Sequence, residues 1–225
     1  MCTNYSATRA DLERLMRQTG LEFDPGLRAW REDIWPDYDA PALLPDGDGA
    51  RAVMGTYGFW PKFLQPERRN EAGRKQQPFS TYNSRSEECA VKRLYAGAWR
   101  AGQRCLIPAG YVVEPNWESG KNVWHRCGLA SGEPFAVAGL WKSYDTPRGP
   151  VTGVTMLTVN ADGHGVMGRM HRPNEEKRSV VILRPGDYEE WLHTTNVEAA
   201  RSMLQLLPAE EMMAGPVSGT TGSLL

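Results

Sequence analysis

Phe135-Ala136-Val137-Ala138-Gly139-Leu140-Trp141 and, one short loop later, Val151-Thr152-Gly153-Val154-Thr155-Met156-Leu157-Thr158-Val159-Asn160 are runs rich in Val, Thr and aromatic residues. Such residues favour the pleated, half-buried surface of a sheet, so both runs read as strands. Working outward, Arg178 to Leu183 reads as another strand. Upstream, Cys105 to Glu114 reads as a strand interrupted at Pro108-Ala109-Gly110, and Arg51 to Phe59 as one ending at Gly58. Cys89 to Trp99 has the pattern of a short helix. Trp35-Pro36 to Gly49 is rich in Pro and Asp and reads as a loop, and the polar stretch Gln65 to Gln77 reads the same way. Helical patterns sit at the two ends. Thr8 can cap a helix running to Gly20, with Asp11 three residues on and Leu12, Leu15 and Met16 on one face. Asp187 to His193 and Asn196 to Leu207 follow late in the chain, the second with Asn196 as its cap and Pro208 as its stop. Strands in the middle with helices at the ends predict an α+β fold. We expect a single domain over 1–225, with a central, mostly antiparallel, barrel-like sheet and flanking helices.

At 225 residues the chain is long enough to bury a core without disulfides or metals. No apolar run approaches the about 20 residues that span a bilayer, and the first residues lack the basic-then-apolar pattern of a secretory signal. A cytoplasmic monomer without membrane partners is expected. None of Cys2, Cys89, Cys105 and Cys127 stands in a C-x-x-C pair, and the histidines do not cluster with them. The spacing therefore predicts no metal site, and no cofactor is expected. The net charge of −1 hides an asymmetry: residues 61–104 carry 10 Lys/Arg against 4 Asp/Glu. A basic stretch in a nearly neutral chain suggests an anionic partner, although on charge alone a solvated face is the simpler reading.

Cys2 is the residue with the most distinctive chemistry. Removal of Met1 would leave it N-terminal, with an amine of reference pKa about 7.7–8.0 beside a thiol of about 8.5. With an aldehyde, such an amine forms an imine and the thiol closes on the same carbon. The product is a thiazolidine, more durable than the imine. Three further segments belong with it: Tyr82-Asn83-Ser84-Arg85-Ser86-Glu87; Arg104-Cys105-Leu106-Ile107-Pro108-Ala109-Gly110, running on to Glu114; and Met170-His171-Arg172-Pro173, followed by Lys177-Arg178-Ser179-Val180-Val181-Ile182-Leu183. In order and spacing these resemble the SOS response-associated peptidase (SRAP) family of abasic-site processing proteins. The resemblance runs from the Met-Cys start through Gly139-Leu140-Trp141 to Gly215-Pro216-Val217-Ser218.

The resemblance implies capture of abasic sites in single-stranded DNA, at the nucleoid when the protein is on DNA. It implies a candidate catalytic set of Cys2, Asn83, Glu114 and His171. Cys2 would be the cross-linking nucleophile, Glu114 a proton shuttle, Asn83 an uncharged group that orients the amine, and His171 a donor to the opened sugar or a phosphate. His164 is a rival for the histidine role. The resemblance also implies DNA contacts by Arg85, from the family's Asn-x-Arg, and by Trp60, Pro61 and Phe63, from its Trp-Gly-x-x-Pro-x-Trp segment. The chain departs from the family in several places. Thr3-Asn4 replaces the common Gly-Arg, Ser84 replaces Ala, the segment 172–178 is longer than usual, and Ser179-Val180 replaces Met-Pro. Three other readings stand beside capture. Cys2 could act as the thiol of an autopeptidase. It could belong to an N-terminal-nucleophile amidotransferase, although the Asn-Gly pair usual in those enzymes is absent. It could be incidental in a non-covalent reader of modified bases.

Overall fold

The computed structural model describes residues 2–20 and 27–217. In chain order its strands are β1 (Asn4–Ser6), β2 (Asp33–Ile34), β3 (Asp39–Asp46), β4 (Gly49–Tyr57), β5 (Arg68–Arg69), β6 (Lys75–Gln76), β7 (Asn83–Arg85) and β8 (Arg104–Ala109). They continue with β9 (Tyr111–Asn116), β10 (Val123–Leu129), β11 (Phe135–Tyr144), β12 (Val151–Asn160), β13 (Arg178–Val180), β14 (Ile182–Leu183) and β15 (Met212–Pro216). The α-helices are α1 (Arg9–Gln18), α2 (Ala96–Arg100), α3 (Tyr188–His193) and α4 (Val197–Ser202).

Strands β12, β4, β3, β8 and β11 are bonded in that order, and β11 pairs back onto β12, so the sheet closes into a ring. All contacts in the ring are antiparallel except the short parallel β12–β4 pair. The α+β reading, with its mostly antiparallel, barrel-like sheet, holds. Side chains alternate across these strands. One face joins Cys105, Ile107, Val154 and Met156 to a core that includes Cys2, Tyr5 and Tyr57. The other face puts Leu106, Ala138 and Leu140 under α1 and α3, through Leu12, Leu15, Met16 and Trp191. The α1 helix starts as its sequence predicts. Thr8 and Asp11 form a capping box, and Leu12, Leu15 and Met16 are its buried face.

A second sheet has the order β15-β10-β9-β1-β2, and its β9 follows directly on β8 of the ring. The predicted Cys105–Glu114 strand splits at Gly110 into β8 and β9. A Cβ on Gly110 would sit 3.0 Å from Asp11 Oδ2, so the helix start packs where the chain turns.

Five sequence expectations need correcting. The Pro/Asp-rich segment before Gly49 is largely strand β3, paired along its length with β4. Pro41 and Pro45 share a parity with Leu43, of which Leu43 alone pairs β8, so the missing donors cost this strand no ladder bond to β8. The polar segment 65–77 contains the small hairpin β5–β6. The Cys89–Trp99 helix is confined to α2, because the chain before it makes separate turns such as Val91 N–H to Glu88 O and Tyr95 N–H to Lys92 O. The last helix ends at Ser202, well short of Pro208. The Arg178–Leu183 strand breaks at Val181, which bonds Leu157 on one side and Ala138 on the other and so carries the chain from β12 to β11.

Candidate functional site

Strand β1 lies between β2 and β9, with Asn4 opposite Val113, so the chain before it runs toward Glu114. Asn4 is buried and donates to Asp33 Oδ1 at 2.6 Å and to Ile34 O at 3.2 Å, which fixes the segment that carries Cys2. The Cys2 thiol is 1% exposed and donates to Asn4 O at 3.1 Å. Its backbone carbonyl accepts two hydrogen bonds from distant parts of the chain: Asn83 Nδ2 at 2.6 Å and Tyr57 Oη at 3.1 Å. Asn83 reaches it because β7 adds in parallel to β12, with Asn83 opposite Met156. Tyr57 ends β4, its ring edge-on to Tyr5 at 5.0 Å and tilted against Tyr82 at 5.6 Å.

Glu114, on β9, is 1% exposed. Its Oε2 lies 3.1 Å from Nε2 of His171, which is 6% exposed. His171 is brought there by a bridge between its segment and Asn116, and its N–H donates to Pro115 O at 2.6 Å. It holds this position at φ 63°, a left-handed conformation uncommon for a residue with a side chain. Burial sets the electrostatics of the pair. It pushes the Glu114 carboxyl up to about 7 and the His171 imidazole down to about 4, because each group loses hydration of its charged form. The Cys2 thiol is raised by its own burial and further by the carboxylate of Glu114. At neutral pH the site therefore holds a thiol, a carboxyl near its midpoint and a neutral imidazole.

Cys2, Asn83, Glu114 and His171 thus stand within one buried neighbourhood. Of the expected DNA contacts, Phe63 is 64% exposed, Trp60 is half-buried and Pro61 is buried. Arg85 is half-exposed and pairs with Glu176 at 2.7 Å. His164 is committed elsewhere: Nε2 lies 2.8 Å from Leu207 O, and Nδ1 accepts from the N–H groups of Val166 and Met167. Sequence reasoning missed Tyr57, which reads as a core aromatic. Its signal is only that a buried tyrosine needs a partner for its hydroxyl, and sequence does not say that the partner is Cys2. Among the described residues, no group of three or more His, Cys, Asp or Glu side chains is arranged to hold a metal ion, and no helix is long and apolar enough to cross a membrane.

The sequence profile of the SOS response associated peptidase (SRAP) family matches residues 1–224. The chain belongs to the SRAP family. Two proteins named abasic site processing protein YoqW, from Bacillus subtilis (strain 168) and Bacillus phage SPbeta, are each 26% identical to this SRAP chain over 200 residues. The matches span 85% of this chain and 80% of theirs. A crystal structure of a protein from Bordetella bronchiseptica is 34% identical, with a TM-score of 0.79 over 96% of this chain and 100% of its own. A crystal structure from Bacteroides thetaiotaomicron shares the SRAP fold at 14% identity, with a TM-score of 0.72 over 97% and 93% of the two chains.

Proposed function

We propose that this protein captures abasic sites in single-stranded DNA as a thiazolidine formed on Cys2 once Met1 has been removed. The observation that carries the reading is the clamp on the Cys2 carbonyl by Asn83 and Tyr57, beside a buried carboxyl whose pKa is about 7. The name of the YoqW relatives, abasic site processing protein, points to the same substrate.

The chemistry follows from those groups. The ring-opened abasic sugar offers an aldehyde. The α-amine of Cys2 attacks its carbonyl carbon, and the adduct must lose water to become an imine. Protonated Glu114 donates to the departing hydroxyl, and a carboxyl half-protonated near neutrality suits that task. The thiol sulfur then adds to the imine carbon. Its proton passes to the Glu114 carboxylate, and the nitrogen, left as an iminium with one hydrogen when water departed, becomes the neutral ring amine, so Glu114 ends protonated as it began. The net change is loss of one water, with no oxidant or reductant. Neutral His171 faces Glu114 through Nε2 and orients the carboxyl toward the reacting centre. Asn83 and Tyr57 hold the backbone of Cys2 without competing for the proton. A single chain supplies every group involved.

The autopeptidase reading asks more of Cys2. A thiol nucleophile must be a thiolate, favoured by nearby positive charge. Here burial and a neighbouring carboxylate both raise the thiol. The capture mechanism needs the thiol only after the imine has formed, with a base beside it.

A denaturing gel separates the readings. Met1-free protein should give a heat-stable band with abasic single-stranded DNA and none with intact DNA, which has no aldehyde. Cys2→Ser keeps the amine, so it should form an imine but little heat-stable product. Equal heat-stable yield from wild type and Cys2→Ser would rule the thiazolidine out.

A further inference from the structure

We infer that the hollow beside His171 is a nucleotide subsite, in which Lys177 and Arg172 take a backbone phosphate and Trp117 takes the adjoining base. The inference rests on the single-stranded DNA reading and deepens it by naming where the strand lies next to the lesion. The hollow is walled by Trp117, Glu118, Gly168, Arg169, His171 and Lys177, so it brings the surface up to the buried His171–Glu114 pair.

The cations around the site are not equivalent. Arg85 is paired with Glu176, and buried Arg178 is held between Glu87 and Glu176 at 2.5 and 2.8 Å. Arg169 spends two donors on Glu118, at 2.9 and 2.7 Å. These charges are already balanced by carboxylates. Lys177 differs. Its Nζ donates to the carbonyl oxygens of His171 at 3.2 Å and Arg172 at 2.5 Å, and among the described residues no carboxylate lies within ion-pair distance of it. An ammonium has three N–H groups, so one is left for an anion. Two backbone carbonyls therefore hold a half-buried ammonium, without a direct carboxylate partner among the described residues, at the wall of the hollow and against the residue that completes the reactive pair.

Trp117 supplies the second half of the subsite. It follows Asn116 at the end of β9, and the Arg172 guanidinium lies 5.0 Å from its ring centroid. Arg172 is exposed, with Glu175 a distant 4.0 Å away as its partner. An arginine stacked on a half-exposed indole is the arrangement that single-strand binders use to seat a base and its phosphate together. Arg172 can move from the ring to a phosphate oxygen while the base takes its place. Glu118 lines the hollow beside its partner Arg169, Glu175 stands near Arg172, and Asp162 accepts from the Lys177 backbone N–H at 3.0 Å, so the Lys177 ammonium is the cation of the wall that has no direct ion pair among the described residues.

The test is equilibrium binding of an undamaged single-stranded oligonucleotide, which has no aldehyde and so does not depend on Cys2. Affinity is measured across a salt series. Lys177→Gln should weaken binding and reduce the slope of log K against log salt by about 0.7, the release expected from one phosphate contact on a single strand. Lys177→Arg should restore most of that slope, which guards against a general folding defect. Trp117→Ala should lower affinity roughly tenfold while leaving the slope near the wild-type value. Arg14→Gln, which removes the same charge from α1, should leave both unchanged. An unaltered slope in Lys177→Gln, or unaltered affinity in Trp117→Ala, overturns the subsite even if abasic DNA is still captured. If the wild type binds with these sensitivities but forms no adduct, the subsite stands and the capture reading falls.

Discussion

In the proposed mechanism the chemistry turns on Glu114, and its proton can be followed two ways. Its folded pKa of about 7 lies above its ordinary 4.5, so between those values the folded protein keeps a proton that the unfolded chain releases. Its contribution to stability is therefore fully present below about pH 4.5 and lost as pH rises toward 7, by at most about 3 kcal/mol. His171 runs the other way. Its folded value of about 4 lies below 6.5, so its contribution is present above 6.5 and lost as pH falls. Glu114→Gln should remove the first slope and keep the second, as urea titrations at pH 5 and 7 would reveal. The same variant should slow adduct formation roughly 100-fold, the usual worth of a positioned acid–base group. An unchanged rate would assign the proton transfer to another group. His171 also carries backbone strain at φ 63°. His171→Gly should be more stable than His171→Ala by about 1 kcal/mol, since glycine alone adopts that conformation freely. Equal stabilities would mean that the surrounding contacts absorb the strain. Cys2 was legible from its own chemistry, and Glu114, His171 and Asn83 from the resemblance of their segments. Tyr57 was not, because its hydroxyl meets a carbonyl 55 positions earlier in the chain and no local pattern encodes that meeting.

Individual elements decide how well that clamp is held. The start of β12 is crowded: a Cβ on Gly153 would come within 2.3 Å of Phe59 O and 2.6 Å of Gly58 O. Gly58 and Phe59 directly follow Tyr57 at the end of β4. Gly153→Ala should therefore cost about 2 kcal/mol of stability, as overpacking does elsewhere, and should lower the adduct rate by shifting Tyr57 from Cys2. Loss of stability with an unchanged adduct rate would show that the Tyr57 contact does not position Cys2. The elements read best from sequence were those with one unambiguous period or cap, α1 and β12. Strand β3 was hidden because prolines are turn formers by composition, and only the register shows which of them need no donor. The small strands β1, β2 and β7 were hidden because their few residues owe their conformation to neighbours distant in sequence, not to propensity.

At the scale of the whole molecule, the closed ring explains how residues from position 2 to position 171 meet. It presents β7 on β12, turns β8 into β9 at Gly110, and leaves β1 to lie along β9, so three remote segments converge on the carbonyl of Cys2 and the carboxyl of Glu114. That convergence was beyond the reach of composition or periodicity, since a closed sheet is a fact about pairing and not about any one strand. The charge asymmetry was legible as an excess of cations over 61–104, but not that several of them, such as Lys62, Arg69, Lys75 and Lys92, would be paired with nearby carboxylates. The central claim is that the reactive unit is Cys2 with its own α-amine. Intact mass after incubation with an abasic single-stranded oligonucleotide tests it most directly, comparing the Met1-free protein with one that retains Met1 or carries an N-terminal tag. The account predicts that the Met1-free protein gains the mass of the oligonucleotide less one water and that the blocked protein gains nothing that survives denaturation. The same stable mass gain in the blocked protein would contradict it.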